Sequence, residues 1–214
     1  MLIVYRPSYN GEMPTKKSNI TNASNSILIA EYEYIANSAI QANEDRARVA
    51  SFYLIAVGSL VAALFSTQIF EINKNLTPLN FLFSGLFFVL TLLGGLTVIQ
   101  LARLRAAWYE SMMALNQIKD YMIGKDKDLT KAFRWKNNSM PPLYKKNSVS
   151  YQQTVEVAIL SGVMFGATIY FLLLGINYDN ELMKWIFTIG GAILAFISQL
   201  LIYKYALLQH KKEK

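Results

Sequence analysis

Residues 75–102 read NLTPLNFLFSGLFFVLTLLGGLTVIQLA, 28 consecutive positions without an ionisable side chain. No proline or glycine interrupts the chain from there through Arg103, Leu104, Arg105, Ala106, Ala107, Trp108 and Tyr109 to Tyr121. A helix rises about 1.5 Å per residue, so this segment crosses roughly 30 Å of hydrocarbon and still projects several turns into water on its basic side. One rod therefore joins bilayer and solvent.

Three further windows, residues 49–70, 157–178 and 185–203, also lack Asp, Glu, Lys, Arg and His. Each is about as long as a membrane-spanning helix, and each is apolar on every face rather than along one stripe. A soluble helical bundle is the alternative, but its helices rarely sustain about 18 apolar residues without a charge. The expected fold class is an all-α membrane protein with four transmembrane helices, the first two extended into the cytosol as long antiparallel helices.

The cations are distributed unevenly around these windows. Of 21 Lys and Arg, five precede the first window, ten lie between the second and third, and four follow Tyr203; the other two connections hold only Lys74 and Lys184. Cytoplasmic loops collect Lys and Arg, which places both termini and the central loop inside the cell, in its inner (plasma) membrane. The net charge of +7 is concentrated beside the bilayer, so lipid headgroups are its expected partner and no direct nucleic-acid binding is expected. Without cysteine there is no disulfide framework, and the first ten residues lack the apolar core of a cleaved signal peptide.

In chain order the expected units are a flexible segment over residues 1–23 and a cytosolic helix, first transmembrane hairpin and second cytosolic helix over 24–123. A basic loop over 124–155, a second hairpin over 156–204 and a basic tail over 205–214 follow. Ser24 or Ser26 is placed to cap the first helix, with an apolar stripe through Ile27, Tyr34, Ile35 and Ala42. Pro78 suits the first turn of the second rod and Gly124 a left-handed cap at its end. Where the rods lie side by side, Glu31, Glu33, Glu44 and Asp45 are set to meet Arg103, Arg105 and Lys119. Tyr34, Ile35, Trp108, Leu115 and Ile118 supply the apolar contact. A short helix over residues 129–135 is expected in the loop. The second hairpin lacks comparable extensions.

No catalytic constellation is present. The single histidine, His210, lies in the basic tail, and one His without Cys cannot assemble the usual zinc sites, so neither enzyme activity nor a cofactor or metal is expected. Proton-coupled carriers place ionisable groups within the membrane, and the windows hold none. Polar residues remain there, Ser161 among them, and most are expected to bond a backbone carbonyl or a neighbouring helix; in the sharper reading Thr97, Gln100, Ser198 and Gln199 are candidate pore-lining residues of an assembly of several copies. Ala158, Gly162, Gly166, Gly191 and Ala195 are candidates for close helix packing, because small side chains let backbones approach in lipid. Arg46, Arg48, Arg103 and Arg105 flank the first hairpin. With Lys131, Arg134 and Trp135 of the loop they are candidate contacts for lipid phosphates or an anionic signal.

The segments Glu44-Asp45-Arg46-Ala47-Arg48 before the first window and Arg103-Leu104-Arg105-Ala106-Ala107-Trp108-Tyr109-Glu110 after the second carry a resemblance. In layout this chain resembles the SLATT group of prokaryotic membrane effectors over residues 24–122, and departs from it by the extra hairpin. It is also similar in outline to four-span accessory proteins encoded beside CRISPR or cyclic-nucleotide defence genes. The resemblance implies a homo-oligomeric effector that forms a pore or perturbs the membrane in antiviral defence when a cytosolic sensor protein signals, and it transfers no ligand-binding residue. A non-conducting membrane scaffold for a cytosolic partner is the alternative.

Overall fold

Pro78 occupies the first turn of a helix, where its missing N–H costs nothing, and no further proline intervenes before Pro141. The helix accordingly runs unbroken from Thr77 to Lys125. The computed structural model describes residues 16–66, 76–134 and 136–212. Its elements are α1 (Lys16–Ser66), α2 (Thr77–Lys125), the single turn α3 (Leu129–Ala132), a 3-10 turn (Asn137–Ser139), α4 (Val149–Gly175) and α5 (Glu181–Lys212), with no strand among the described residues. α1, α2, α4 and α5 are each long and apolar enough to cross a membrane. Helices α2 and α4 form the centre of the bundle, with α1 packed on α2 and α5 on α4; α2 and α5 meet more loosely.

The inward faces follow helical spacing. On α1 the buried residues include Ala39, Ala42, Arg46, Ala50, Tyr53 and Val57, each three or four positions after the last. On α2 the buried face includes Leu90, Gly94, Val98, Leu101, Arg105 and, further out, Leu115. Residues with 50 % or more exposure, such as Phe52, Ile55, Leu92, Leu96, Leu194 and Leu201, cover the outside of the apolar layer, the inverse of what water would select.

The small residues of the second hairpin are used within the chain. A Cβ on Gly162 would stand 2.8 Å from the Ala192 carbonyl oxygen, and one on Gly166 3.1 Å from that of Thr188, so α4 and α5 touch backbone to backbone. Gly191 faces Ile169 in the same seam, and Ala158 and Ala195 are buried. At the far end, Phe171 packs on Phe83 and Phe87 at ring-centroid distances of 5.3 and 5.5 Å, and Tyr170 on Trp185 at 5.3 Å.

Several boundaries differ from the reading of the sequence. α1 is already helical at Lys16, within the segment expected to be flexible; residues 1–15 lie outside the described residues. No breaker stands between Pro14 and that helix. α2 runs through Gly124 without a left-handed residue and ends at Lys125, where Asp126 turns extended. The helix expected over 129–135 is one turn, closed by extended Phe133; Trp135 lies outside the described residues.

α4 starts seven residues before Glu156, capped by Ser148, whose Oγ accepts from the Tyr151 N–H at 3.3 Å. α5 continues to Lys212, so the expected tail is helical as far as it is described and the second hairpin does extend past its apolar windows. The turn between α4 and α5 places Asn177 at a φ of 53°, which asparagine tolerates better than most side chains.

The ion pairs expected between α1 and α2 are absent among the described residues. Asp45 instead pairs with Arg48 of its own helix at 3.1 Å, and Lys119 donates to Asn116 at 3.4 Å. Ile27 and Tyr34 are exposed, not part of the packed stripe, because the inward phase of α1 runs through Ala39 and Ala42.

Candidate functional site

Two polar layers tie the long helices together. The first lies within the apolar windows. Tyr53 of α1 donates to the Leu90 carbonyl of α2 at 3.3 Å, and Ser161 of α4 donates to the Thr91 carbonyl at 3.2 Å. Gln199 of α5 in turn donates its amide N–H to Ser161 Oγ. All four helices are thus cross-linked at the level of Gly94, where a Cβ would stand 2.5 Å from Ser161 Oγ and 2.7 Å from Tyr53 Oη. Gln199 Oε1 is buried and has no hydrogen-bond partner among the described residues.

The second layer lies where the helices leave the apolar windows on the basic side. Arg46 and Arg105 are only 7 % and 6 % exposed. Arg46 Nε donates to Gln153 Oε1 at 3.0 Å, and its Nη1 is buried with no hydrogen-bond partner among the described residues. Arg105 Nε donates to the Leu143 carbonyl at 3.3 Å, and its guanidinium carbon sits 4.3 Å over the Trp108 ring. Tyr203 of α5 closes the junction, its hydroxyl 2.9 Å from that of Ser150, with the rings of Tyr144 and Tyr151 packed against it.

No carboxylate compensates these two cations: neither arginine joins an ion pair among the described residues. Burial lowers the pKa of both guanidiniums, the nearby Tyr203 opposes the shift, and the charge of Arg46 lowers Arg105 further. An uncompensated buried charge is costly, so this junction is stable only while the surrounding packing holds it closed.

The structure divides the four flanking arginines into two classes. Arg46 and Arg105 converge inside; Arg48 and Arg103 are exposed, as are Lys131 and Arg134 of the loop. The candidate pore residues sit in different surroundings, although Ser198 and Gln199 line one cavity. Thr97 donates to the Leu93 carbonyl at 2.8 Å inside the packed bundle, Gln199 belongs to the polar tie, and Ser198 donates to the Ala195 carbonyl at 2.8 Å. Gln100 faces outward beside Arg48 and Arg103. His210 does have a carboxylate near it in space, with Nε2 2.8 Å from Glu110 Oε1 of α2. No cluster of three or more metal-ligating side chains forms among the described residues.

Tyr53, Ser150, Gln153 and Tyr203 were not singled out in the sequence. The helical phase of Ala39, Ala42, Arg46, Ala50, Tyr53 and Val57 is the signal that finds Arg46 and Tyr53; the partners on α4 and α5 have no comparable pattern.

The tie makes an ordered prediction. Ser161→Ala leaves the Gln199 amide without an acceptor and is expected to cost about 1–2 kcal/mol, whereas Gln199→Met also removes a buried orphan oxygen and is expected to cost less. Denaturant titration of the detergent-solubilised protein measures both; a larger cost for Gln199→Met would contradict the assignment of the tie. Comparison of the chain with protein-family models, curated proteins and solved structures finds no match, so the reading of this site rests on its own geometry.

Proposed function

We propose that this protein is an integral effector of the inner (plasma) membrane, with both termini cytoplasmic, gated through its water-facing helices. The observation that supports the reading is the pairing of Arg46 and Arg105, two buried cations without a counter-charge at the junction of all four long helices. Such a junction has two resolutions, closed by packing or opened to water and anions, and a signal that moves the projecting ends of α1 and α2 biases the choice.

The output that agrees with the SLATT-like layout is pore formation or bilayer perturbation by a homo-oligomer in prokaryotic antiviral defence, triggered by a cytosolic sensor protein. The polar side chains of the spans are largely bonded inside one chain, most of them to backbone carbonyls, so conduction requires several copies or release of the tie. The test is induced expression in bacterial cells carrying a potential-sensitive dye, with conductance measured in parallel on reconstituted liposomes. Depolarisation that precedes growth arrest is expected. Growth arrest at intact potential, with silent liposomes, would sink the effector reading.

A second reading, a non-conducting scaffold for a cytosolic protein, is supported by the cleft of about 570 Å³ between the projecting ends of α1 and α2, next to exposed Ile27. It requires a stable partner lost on Ile27→Glu, with potential unaffected.

A further inference from the structure

Because α2 and α5 pack loosely, a trough runs between them from the middle of the apolar layer to its basic edge. Its inner part, about 500 Å³, is walled by Phe88, Leu96 and Leu194. Its outer part, about 820 Å³, continues over the shared Ile99 and Ile202 to Arg103 and Lys204. Between Phe88 and Ile99 the helix rises about 16 Å, close to the thickness of one hydrocarbon leaflet. Arg103 and Lys204 are exposed and join no ion pair among the described residues. His210 lines the same mouth but faces Glu110, so that pair adds no positive charge to it.

An apolar channel one leaflet deep with two free cations at its mouth has the polarity of a single lipid molecule. We propose that the trough holds an acyl chain of an anionic phospholipid, whose phosphate is received by Arg103 and Lys204. A helix of a second copy is the competing occupant, but a copy in the same orientation would bring its own cations against this mouth, since 19 of 21 Lys and Arg lie on one side of the windows. The proposal rests on the chain residing in a bilayer and is independent of whether an assembly conducts.

Native mass spectrometry of the full chain in detergent tests it, with dioleoyl-phosphatidylglycerol and dioleoyl-phosphatidylcholine as matched probes. One retained lipid per chain is expected, with roughly 30-fold preference for the anionic probe from two surface cations. Arg103→Gln with Lys204→Gln is expected to reduce that preference to near unity, while Lys145→Gln with Lys146→Gln on the exposed loop preserves it. Ile99→Trp, which fills the trough, is expected to reduce retention of both probes. Equal retention of the two lipids by the unaltered chain, an undiminished preference in the Arg103 and Lys204 variant, or a lipid-free dimer would each overturn the proposal.

Discussion

Gly94→Leu is expected to eliminate folded protein, while Gly95→Leu is tolerated. The two glycines are adjacent on α2, yet a Cβ on Gly94 would lie 2.5 Å from Ser161 Oγ, 2.6 Å from Ser161 Cβ and 2.7 Å from Tyr53 Oη, and one on Gly95 meets nothing within 4 Å. Overfilling a packed core costs about 1–3 kcal/mol where neighbours can move. Here the neighbours are held on two other helices by bonds to the α2 backbone, so the cost is expected at or above about 3 kcal/mol. Gly95→Leu removes a flexible residue from a helix interior and is expected to be neutral or to stabilise by up to about 1 kcal/mol. Size-exclusion profiles of the solubilised variants and their denaturant midpoints separate the two outcomes. Equal tolerance at both positions would mean that α1, α2 and α4 do not converge at Gly94.

Arg46→Met is expected to raise stability and suppress activity together. The side chain keeps much of its volume and loses a charge that has no counter-ion, at the cost of the bond to Gln153. Replacing uncompensated buried charge by an apolar group of similar size is neutral or favourable, and about 1–2 kcal/mol is expected here. If the closed junction is the resting state of a gate, the variant remains closed, and depolarisation is lost from a protein that melts later than its parent. Arg48→Met, two residues on at an exposed position, is expected to change stability by no more than about 0.5 kcal/mol. A destabilised Arg46→Met that still depolarises cells would remove the junction from the mechanism.

Hydropathy and charge made the four long helices and their antiparallel pairing legible, because a lipid-facing helix cannot hide its composition. The ends of α4 and α5 were not legible by that signal. Ser150 and Thr154 precede the apolar window of α4, yet both are buried against the junction, so a search for uncharged runs begins the helix a full two turns too late. The four flanking arginines look alike as letters; their separation into an inward and an outward pair depends on helical phase, which places Arg46 with Ala42 and Ala50, and Arg105 with Leu101. Gln199 shows the opposite limit. Its chemistry identified it as a notable polar residue in an apolar window, but only the approach of Ser161 from α4 shows the bond it makes within the chain.

The continuity of α1 has a mechanical consequence. From Ser24 to Arg48 the helix projects about 37 Å beyond its apolar portion without a proline or glycine at which to flex. A tilt of about 10° at the membrane surface would sweep the outer tip through about 6 Å, and a push at the tip is returned as torque on Arg46. Angular leverage of this kind lets a weak contact far from the bilayer act on a tightly confined charge.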